Sequence, residues 1–296
     1  KIVLMNLNFE IICDRIFEFD MSYKIDDLIG KISDEIKKIM TIMNIESEKI
    51  IGIGFSLPGM VNEETKMLEI AANLGVSDVD FNRYTDMFDF PVFVENESNA
   101  AAYAEYKVGV CRHRKDMVYI SVNEGVGAGV IADNKIYKGF KKRAGEIGHM
   151  TIYKHGLPCV CGRLGCWNAY VSTYALLNAY ISAGGESITT LREFFVLYHE
   201  GNVTAVNIWE KYVEDMSVGI QNVILIFDPH YIVIGGEIAN YSEELLNPLK
   251  KAVFKGNGFV REQDVSILIS ELKEDASSIG AALIPLNKFM DVEEIY

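Results

Sequence analysis

Positive charge is scarce in this chain. Across 296 residues, 28 lysines and arginines face 42 aspartates and glutamates, giving a formal net charge of −14. A surface of that sign does not grip a phosphate backbone, so the chain by itself is excluded as a nucleic-acid binder. Long apolar runs are missing too. None approaches the ~20 residues of a membrane-spanning helix, and no membrane association is expected. The opening KIVLMNL reads as a strand, not as the apolar core of a signal peptide. There is no internal repeat of about 20–50 residues and no low-complexity tract. Cysteines number five, at Cys13, Cys111, Cys159, Cys161 and Cys166. Three cluster and two stand alone, which is no disulfide framework; reduced thiols and a cytoplasmic location are expected.

The clustered cysteines are the strongest chemical signal. In Gly145–Cys166, GEIGHMTIYKHGLPCVCGRLGC, His149 is followed by Cys159, Cys161 and Cys166. Zinc prefers four nitrogen and sulfur ligands in a tetrahedron, and one histidine with three cysteines is a closed, structural set. Gly162 and Gly165 supply permissive backbone where a loop must fold tightly about an ion. These four residues are the expected ligands of a structural Zn2+, and Glu146 accompanies His149 three residues earlier.

Hydrophobic residues make up 49% of the chain and charged residues 24%, enough core for one large or two medium domains. Lys1 to Asp20 alternates around Asn8 like a hairpin. Apolar positions from Ile25 to Met43 recur at three and four, predicting an amphipathic helix. Ile50 to Leu57 predicts a strand buried on both faces, ending at Pro58-Gly59. A strand at Pro91–Val94 runs into Glu95-Asn96-Glu97-Ser98-Asn99 and an alanine-rich helix. Ser98 or Asn96 can cap that helix, and the polar cluster is either a site at the positive end of the dipole or a cap and nothing more. After a basic stretch at Cys111–Arg114, taken as the domain junction, the pattern restarts. It has a strand at Met117–Val122, a glycine turn at Gly125–Gly129, and a hairpin through Asp133-Asn134 to Tyr137. Helices are predicted around 171–183 and 188–198. A long helix over 203–227 stops before Pro229. A buried strand at 231–234 ends in Gly235-Gly236. A helix over 242–253, a strand over 265–270 and a helix over 276–290 follow. Two strand-rich halves of this kind predict two α/β lobes with a cleft between them.

GEIGHM, the Cys159/Cys161/Cys166 spacing and GCWNAYVS resemble the signature of the ROK family (repressors, open reading frames and sugar kinases). GFSLPGMV, AANLG, VENESNAAAYAE, the Gly125–Gly129 turn, IVIGGEIA and SSIGAAL extend the resemblance over nearly the whole chain. It implies an actin-like, ribonuclease-H-like two-lobe fold with a sugar in the cleft. The lobes would be residues 1–112 with 276–296, and residues 113–275 with the zinc loop. Lys1 to Cys13 would be the second strand of the first lobe, the first strand being lost or upstream. A pyranose would be surrounded by Gly59, Asn73, Asn96, Glu97, Glu146 and His149, with Asn168 where the family has a glutamate.

The family holds kinases and sugar-sensing repressors, so fold alone does not decide. Four differences from the kinases stand out, one at the catalytic base and three on the ATP side. Glu97 stands at the aspartate that serves kinases as base, and its extra methylene moves the carboxylate by more than about 1 Å, a displacement that can cost on the order of 10²-fold. Asn123-Glu124-Gly125-Val126-Gly127 replaces a threonine-bearing phosphate turn. A carboxylate ~4 Å from a phosphate costs roughly 4 kcal/mol at an effective dielectric near 20, unless Glu124 points to solvent. Gly235-Gly236 is followed by Glu237 in place of a third glycine, and the first phosphate loop is absent. No catalytic residue is therefore expected, and Asn123, Glu124, Gly125, Gly127, Gly235 and Gly236 are read as a degenerate nucleotide site. The expected function is the sugar-binding and oligomerisation part of a transcriptional regulator. Its helix-turn-helix would lie upstream of Lys1, in keeping with a start that is not methionine, so DNA would be reached only through that domain. Glu97 with Glu124 resembles the xylose-repressor branch, pointing to a monosaccharide effector, and a homodimer or homotetramer is expected. The alternative is an ATP-dependent monosaccharide kinase using Glu97; a relative that binds nothing and only scaffolds a dimer is the third reading.

Overall fold

The computed structural model describes residues 1–18, 24–71, 74–112, 114, 116–256 and 259–290. They form two compact units, one of Lys1–Ala104 with the segment from Asp275 onward, the other of Glu105–Glu274.

The first unit opens on an antiparallel hairpin, β1 (Ile2–Met5) and β2 (Ile11–Arg15). Its turn is closed by the Asn6 side chain, which accepts from the amides of Asn8 and Glu10. Helix α1 (Ile25–Met43) buries Ile29, Ile36 and Ile39, three and seven apart, and ends on a left-handed Asn44. Strand β3 (Ile53–Leu57) begins later than the apolar run suggests. Its ladder starts where the Ile53 amide meets the Pro91 carbonyl, and Pro91 has no N–H to carry it further. The expectation of burial on both faces is corrected as well. Among the described residues β3 pairs with one strand only, and Phe55 alone is fully buried. β4 (Met60–Asn62), β5 (Met67–Ala71) and β6 (Val76–Asp80) make an antiparallel sheet. β7 (Val92–Asn96) lies parallel to β3 and leads directly into α2 (Glu97–Lys107). The last helix, Ala276–Met290, packs on β3 so closely that a Cβ on Gly54 would fall 2.0 Å from the Ala281 carbonyl oxygen. Leu68, Phe81 and Ile29 centre the core of this unit.

The second unit is built on one five-stranded sheet in the order β10-β9-β8-β11-β12. β8 (Met117–Val122), β9 (Val126–Ala132) and β10 (Lys135–Ile136) are antiparallel; β11 (Tyr231–Gly235) and β12 (Ser266–Ile269) continue it in parallel from β8. Gly127 and Gly129, expected in a turn, sit inside β9, opposite Ser121 and Tyr119. Asp133 and Asn134, both left-handed, make the hairpin into β10. The helix expected over 171–183 is two, α3 (Asn168–Val171) and α4 (Thr173–Ser182). They divide at Ser172, whose hydroxyl caps α4 by accepting from the Ala175 amide. Then come α5 (Leu191–His199), opened by a Thr190/Glu193 capping box, and the long α6 (Val203–Phe227). α7 (Ser242–Phe254) lies against α6, and Trp167, Trp209, Ile220 and Ile232 are among the fully packed residues between helices and sheet.

Candidate metal loop and ligand residues

The cysteine loop is a small hairpin in the second unit. Isolated bridges join Thr151 to Cys166 and Pro158 to Leu164. The Ile152 amide donates to the Gly165 carbonyl and the Gly165 amide to the Leu157 carbonyl. Gly165 has a left-handed backbone, and a Cβ there would sit 1.6 Å from the Tyr153 carbonyl oxygen, so only glycine fits. A three-residue 3-10 turn, Ile147–His149, delivers the histidine. Arg163, which sequence reasoning passed over, donates to the His149 carbonyl at 3.2 Å and to the Thr151 hydroxyl at 2.9 Å.

The four expected ligands come together. His149, Cys159, Cys161 and Cys166 offer one donor atom each, all within 4.8 Å of one another. His149 Nδ1 lies 3.6 Å from Cys159 Sγ, and Cys161 Sγ lies 3.6 Å from Cys166 Sγ. Around an ion with metal–sulfur bonds of about 2.3 Å and metal–nitrogen bonds of about 2.0 Å, tetrahedral edges are ~3.5–3.8 Å. The residues therefore fit a tetrahedral metal ion. Burial pushes the Cys166 thiol up to about 12, and hydrogen bonds with Cys161 and Cys159 add to it. The Cys161 thiol is lowered: burial opposes this, and the Arg163 backbone amide and the neighbouring sulfurs outweigh it. A divalent cation at the centre would override both tendencies and hold all three as thiolates. With Nδ1 turned to the sulfurs, His149 Nε2 faces the other way, 3.9 Å from the Glu146 carboxylate.

In the first unit, Asn96 joins two of the expected positions. Its Nδ2 donates to the Gly59 carbonyl at 2.8 Å, and its Oδ1 caps α2 by accepting from the amides of Ser98 and Asn99. Gly59 has a positive φ, and a Cβ there would lie 2.1 Å from the Ile70 carbonyl oxygen, so the position calls for glycine on both counts. Burial pushes the half-buried Glu97 carboxyl up, with no hydrogen bond to offset it. Asn99, read in the sequence only as a member of the polar cluster, is buried two residues on with Oδ1 unpartnered. Asn73 lies outside the described residues.

The turns read as a degenerate nucleotide site are stitched together by Asn123. Its Oδ1 accepts from the Glu237 amide at 2.7 Å, its Nδ2 donates to the Ser121 hydroxyl, and its carbonyl accepts from the Thr173 amide. Gly236 has positive φ and would place a Cβ 2.5 Å from the Val122 carbonyl oxygen. Burial pushes the Glu237 carboxyl up, and the charges of Glu274 and the exposed Glu124 add to it, against a hydrogen bond with Thr173. Gly125 accepts from the Asn123 amide, while Gly127 and Gly235 are strand residues. Asn168 spends its Oδ1 on the Val126 amide at 2.8 Å, which leaves only its Nδ2 for anything else.

One unit with a mixed five-stranded sheet covered by helices, and one α/β unit that the last helix completes, are the parts of an actin-like, ribonuclease-H-like fold. The chain belongs to the ROK family, whose model matches residues 3–288. It is 30% identical over 266 residues to the xylose repressor of Bacillus spizizenii, covering 88% of this chain and 67% of that protein. To the glucokinase of Halalkalibacterium halodurans it is 28% identical over 265 residues, covering 84% of this chain and 80% of that one. The structure of a ROK family glucokinase from Streptomyces griseus with glucose and AMPPNP superposes with a TM-score of 0.81 at 23% identity, covering 95% of this chain and 93% of the other. A ROK family transcriptional regulator, homologous to the E. coli MLC protein, gives a TM-score of 0.81 at 26% identity, covering 96% and 74%. Among the described residues no helix is long and apolar enough to cross a membrane.

Proposed function

We propose that this chain is the effector-binding and oligomerisation portion of a sugar-responsive ROK transcription regulator, and that it does not transfer phosphate. One observation carries the reading: the Asn123 side chain already takes the Glu237 amide proton at 2.7 Å. A backbone amide engaged in that way has nothing to offer a phosphate oxygen. Burial first, and then the charges of Glu274 and Glu124, raise the Glu237 carboxyl at this turn, and a triphosphate arriving there would meet the like charge of these neighbours. Xylose repressors among the relatives agree with this reading.

The ligand is a monosaccharide, with xylose the first to test. It is recognised by Gly59, Asn73, Asn96, Glu97, Glu146, His149 and the remaining amide donor of Asn168. Carboxylates and amides suit vicinal hydroxyls, and a pocket made for them rejects sugars that lack them. The metal is zinc, held by His149, Cys159, Cys161 and Cys166 as a structural ion that fixes the loop bearing Glu146 and His149. DNA is contacted through a helix-turn-helix outside this sequence, in a cytoplasmic homodimer or homotetramer, and the sugar acts by its different affinity for two states of the protein. A kinase reading draws support from Glu97, since a carboxyl raised by burial suits a general base. Incubation with ATP, magnesium and a panel of monosaccharides separates the two. Calorimetry should find one sugar that binds without ADP release. Steady ADP release with any of them would overturn the proposal.

A further inference from the structure

The metal loop is fastened to α6 by a group that takes no part in the ligand set. Asp215 is 4% exposed. Its Oδ1 accepts from the Tyr153 hydroxyl at 2.6 Å and from Lys211 Nζ at 2.6 Å, and Lys211 Nζ also donates to the Tyr153 oxygen at 2.7 Å. These bonds close a three-membered ring, two of them onto a charged carboxylate and so of the stronger kind. The backbone of Asp215 is engaged as well, its carbonyl accepting from Trp167 Nε1 at 2.9 Å. One residue on α6 thus grips the loop at both ends. Tyr153 lies four residues after His149, and the fully buried Trp167 directly follows Cys166.

The grip reaches the loop's interior. The Tyr153 ring packs on Tyr170 with centroids 4.8 Å apart, and the Tyr170 hydroxyl accepts from the Leu157 amide at 2.6 Å. The Tyr153 carbonyl fills the space that a side chain on Gly165 would need. The two strands of the hairpin that carry the sulfurs are therefore set by contacts already complete without an ion. Outer partners that orient metal ligands typically change metal affinity by about 10–100-fold when removed.

We propose that Asp215 is a positioning residue for the metal centre: through Tyr153 and Trp167 it holds His149 and Cys166 in their ligating geometry before the ion binds. The proposal rests on zinc being the ion and is independent of which sugar binds. The test is competition for zinc against a chromophoric chelator at pH 7, on the whole chain and on Asp215→Asn and Tyr153→Phe. Both variants should bind zinc at least tenfold more weakly, and their melting temperatures should rise less than wild type's on zinc saturation. With cobalt as the probe, their thiolate charge-transfer bands should shift or broaden. A merely structural role would lower the melting temperature of metal-free and loaded protein alike and leave the competition curve unchanged; that result overturns the proposal. Tyr153→Phe keeps the ring on Tyr170, so it decides the matter alone if Asp215→Asn fails to fold. A wild-type chain that takes up no zinc would sink the zinc reading and this proposal together. Tight zinc in all three proteins would sink only this one.

Discussion

The same substitution, glycine to alanine in a helix, should have opposite signs at two places in this chain. Gly30 lies inside α1, and an added Cβ would find no atom within 4 Å. Alanine is favoured over glycine in a helix interior by about 1 kcal/mol, so Gly30→Ala should stabilise by roughly 0.5–1 kcal/mol. Gly219 lies inside α6, where a Cβ would stand 2.0 Å from Trp167 Cε2 and 2.4 Å from Cδ2 and Cζ2. Carbon atoms settle at about 3.5–4.0 Å, so the indole or the helix must yield by ~1.5 Å. Trp167 cannot move cheaply: it is 0% exposed and its Nε1 is spent on the Asp215 carbonyl. Overpacking of this kind costs typically 1–3 kcal/mol, occasionally more, and this contact belongs at the upper end. After the propensity gain, Gly219→Ala should lose about 2 kcal/mol, or ~4–8 °C for a unit of this size. Because Trp167 follows Cys166, zinc affinity should fall with it, while Gly30→Ala should leave it untouched. Denaturant unfolding and thermal melts of both variants, each with and without zinc, are the assay. A Gly219→Ala protein as stable as wild type would refute the reasoning, as would a Gly30→Ala protein that is clearly weaker.

Cys161→Ser should release the metal and lower sugar affinity together, read by metal content after dialysis and by calorimetry; unchanged sugar affinity in the metal-free variant would break the link between ion and effector. Glu97 gives a pH signature. Its carboxyl is raised above the ordinary 4.5 by burial, so the fold favours its neutral form and its cost appears as pH rises through the shifted value. Glu97→Gln should match wild type in melting temperature below that ordinary value and exceed it near neutrality, and a constant offset across pH would contradict the desolvation argument.

How much of this was legible in the sequence depended on whether the cause was local. Helix α6 was readable end to end because its apolar pattern is long and its stop is chemical, Asp228 before Pro229. The metal set was readable because four soft ligands sit in one stretch and glycine spacing announces a tight loop. The sheet of β4, β5 and β6 went unseen: three strands of three to five residues, with Asn62, Glu69, Asp78 and Asp80 set among their apolar residues, carry too few alternations to stand out. Glycines in β9 looked like a turn, although Gly129 is there to face Tyr119 across the ladder. Pairings such as Asn168 with Val126 or Tyr153 with Asp215 join residues 42 and 62 apart. Composition holds no trace of them, save that Lys211 and Asp215 are four apart on one helix face.

The position of the last helix has a bearing on biosynthesis. Strand β3 leaves the ribosome early, yet the surface that covers it, around Ala281, is translated only after all of Glu105–Glu274. The second unit is contiguous and can close its core while the first still waits with β3 uncovered. Newly made first units therefore pass through an interval of exposed apolar strand, the condition under which chaperones engage nascent chains. Premature termination anywhere before residue 275 would leave every copy in that sticky, half-built form.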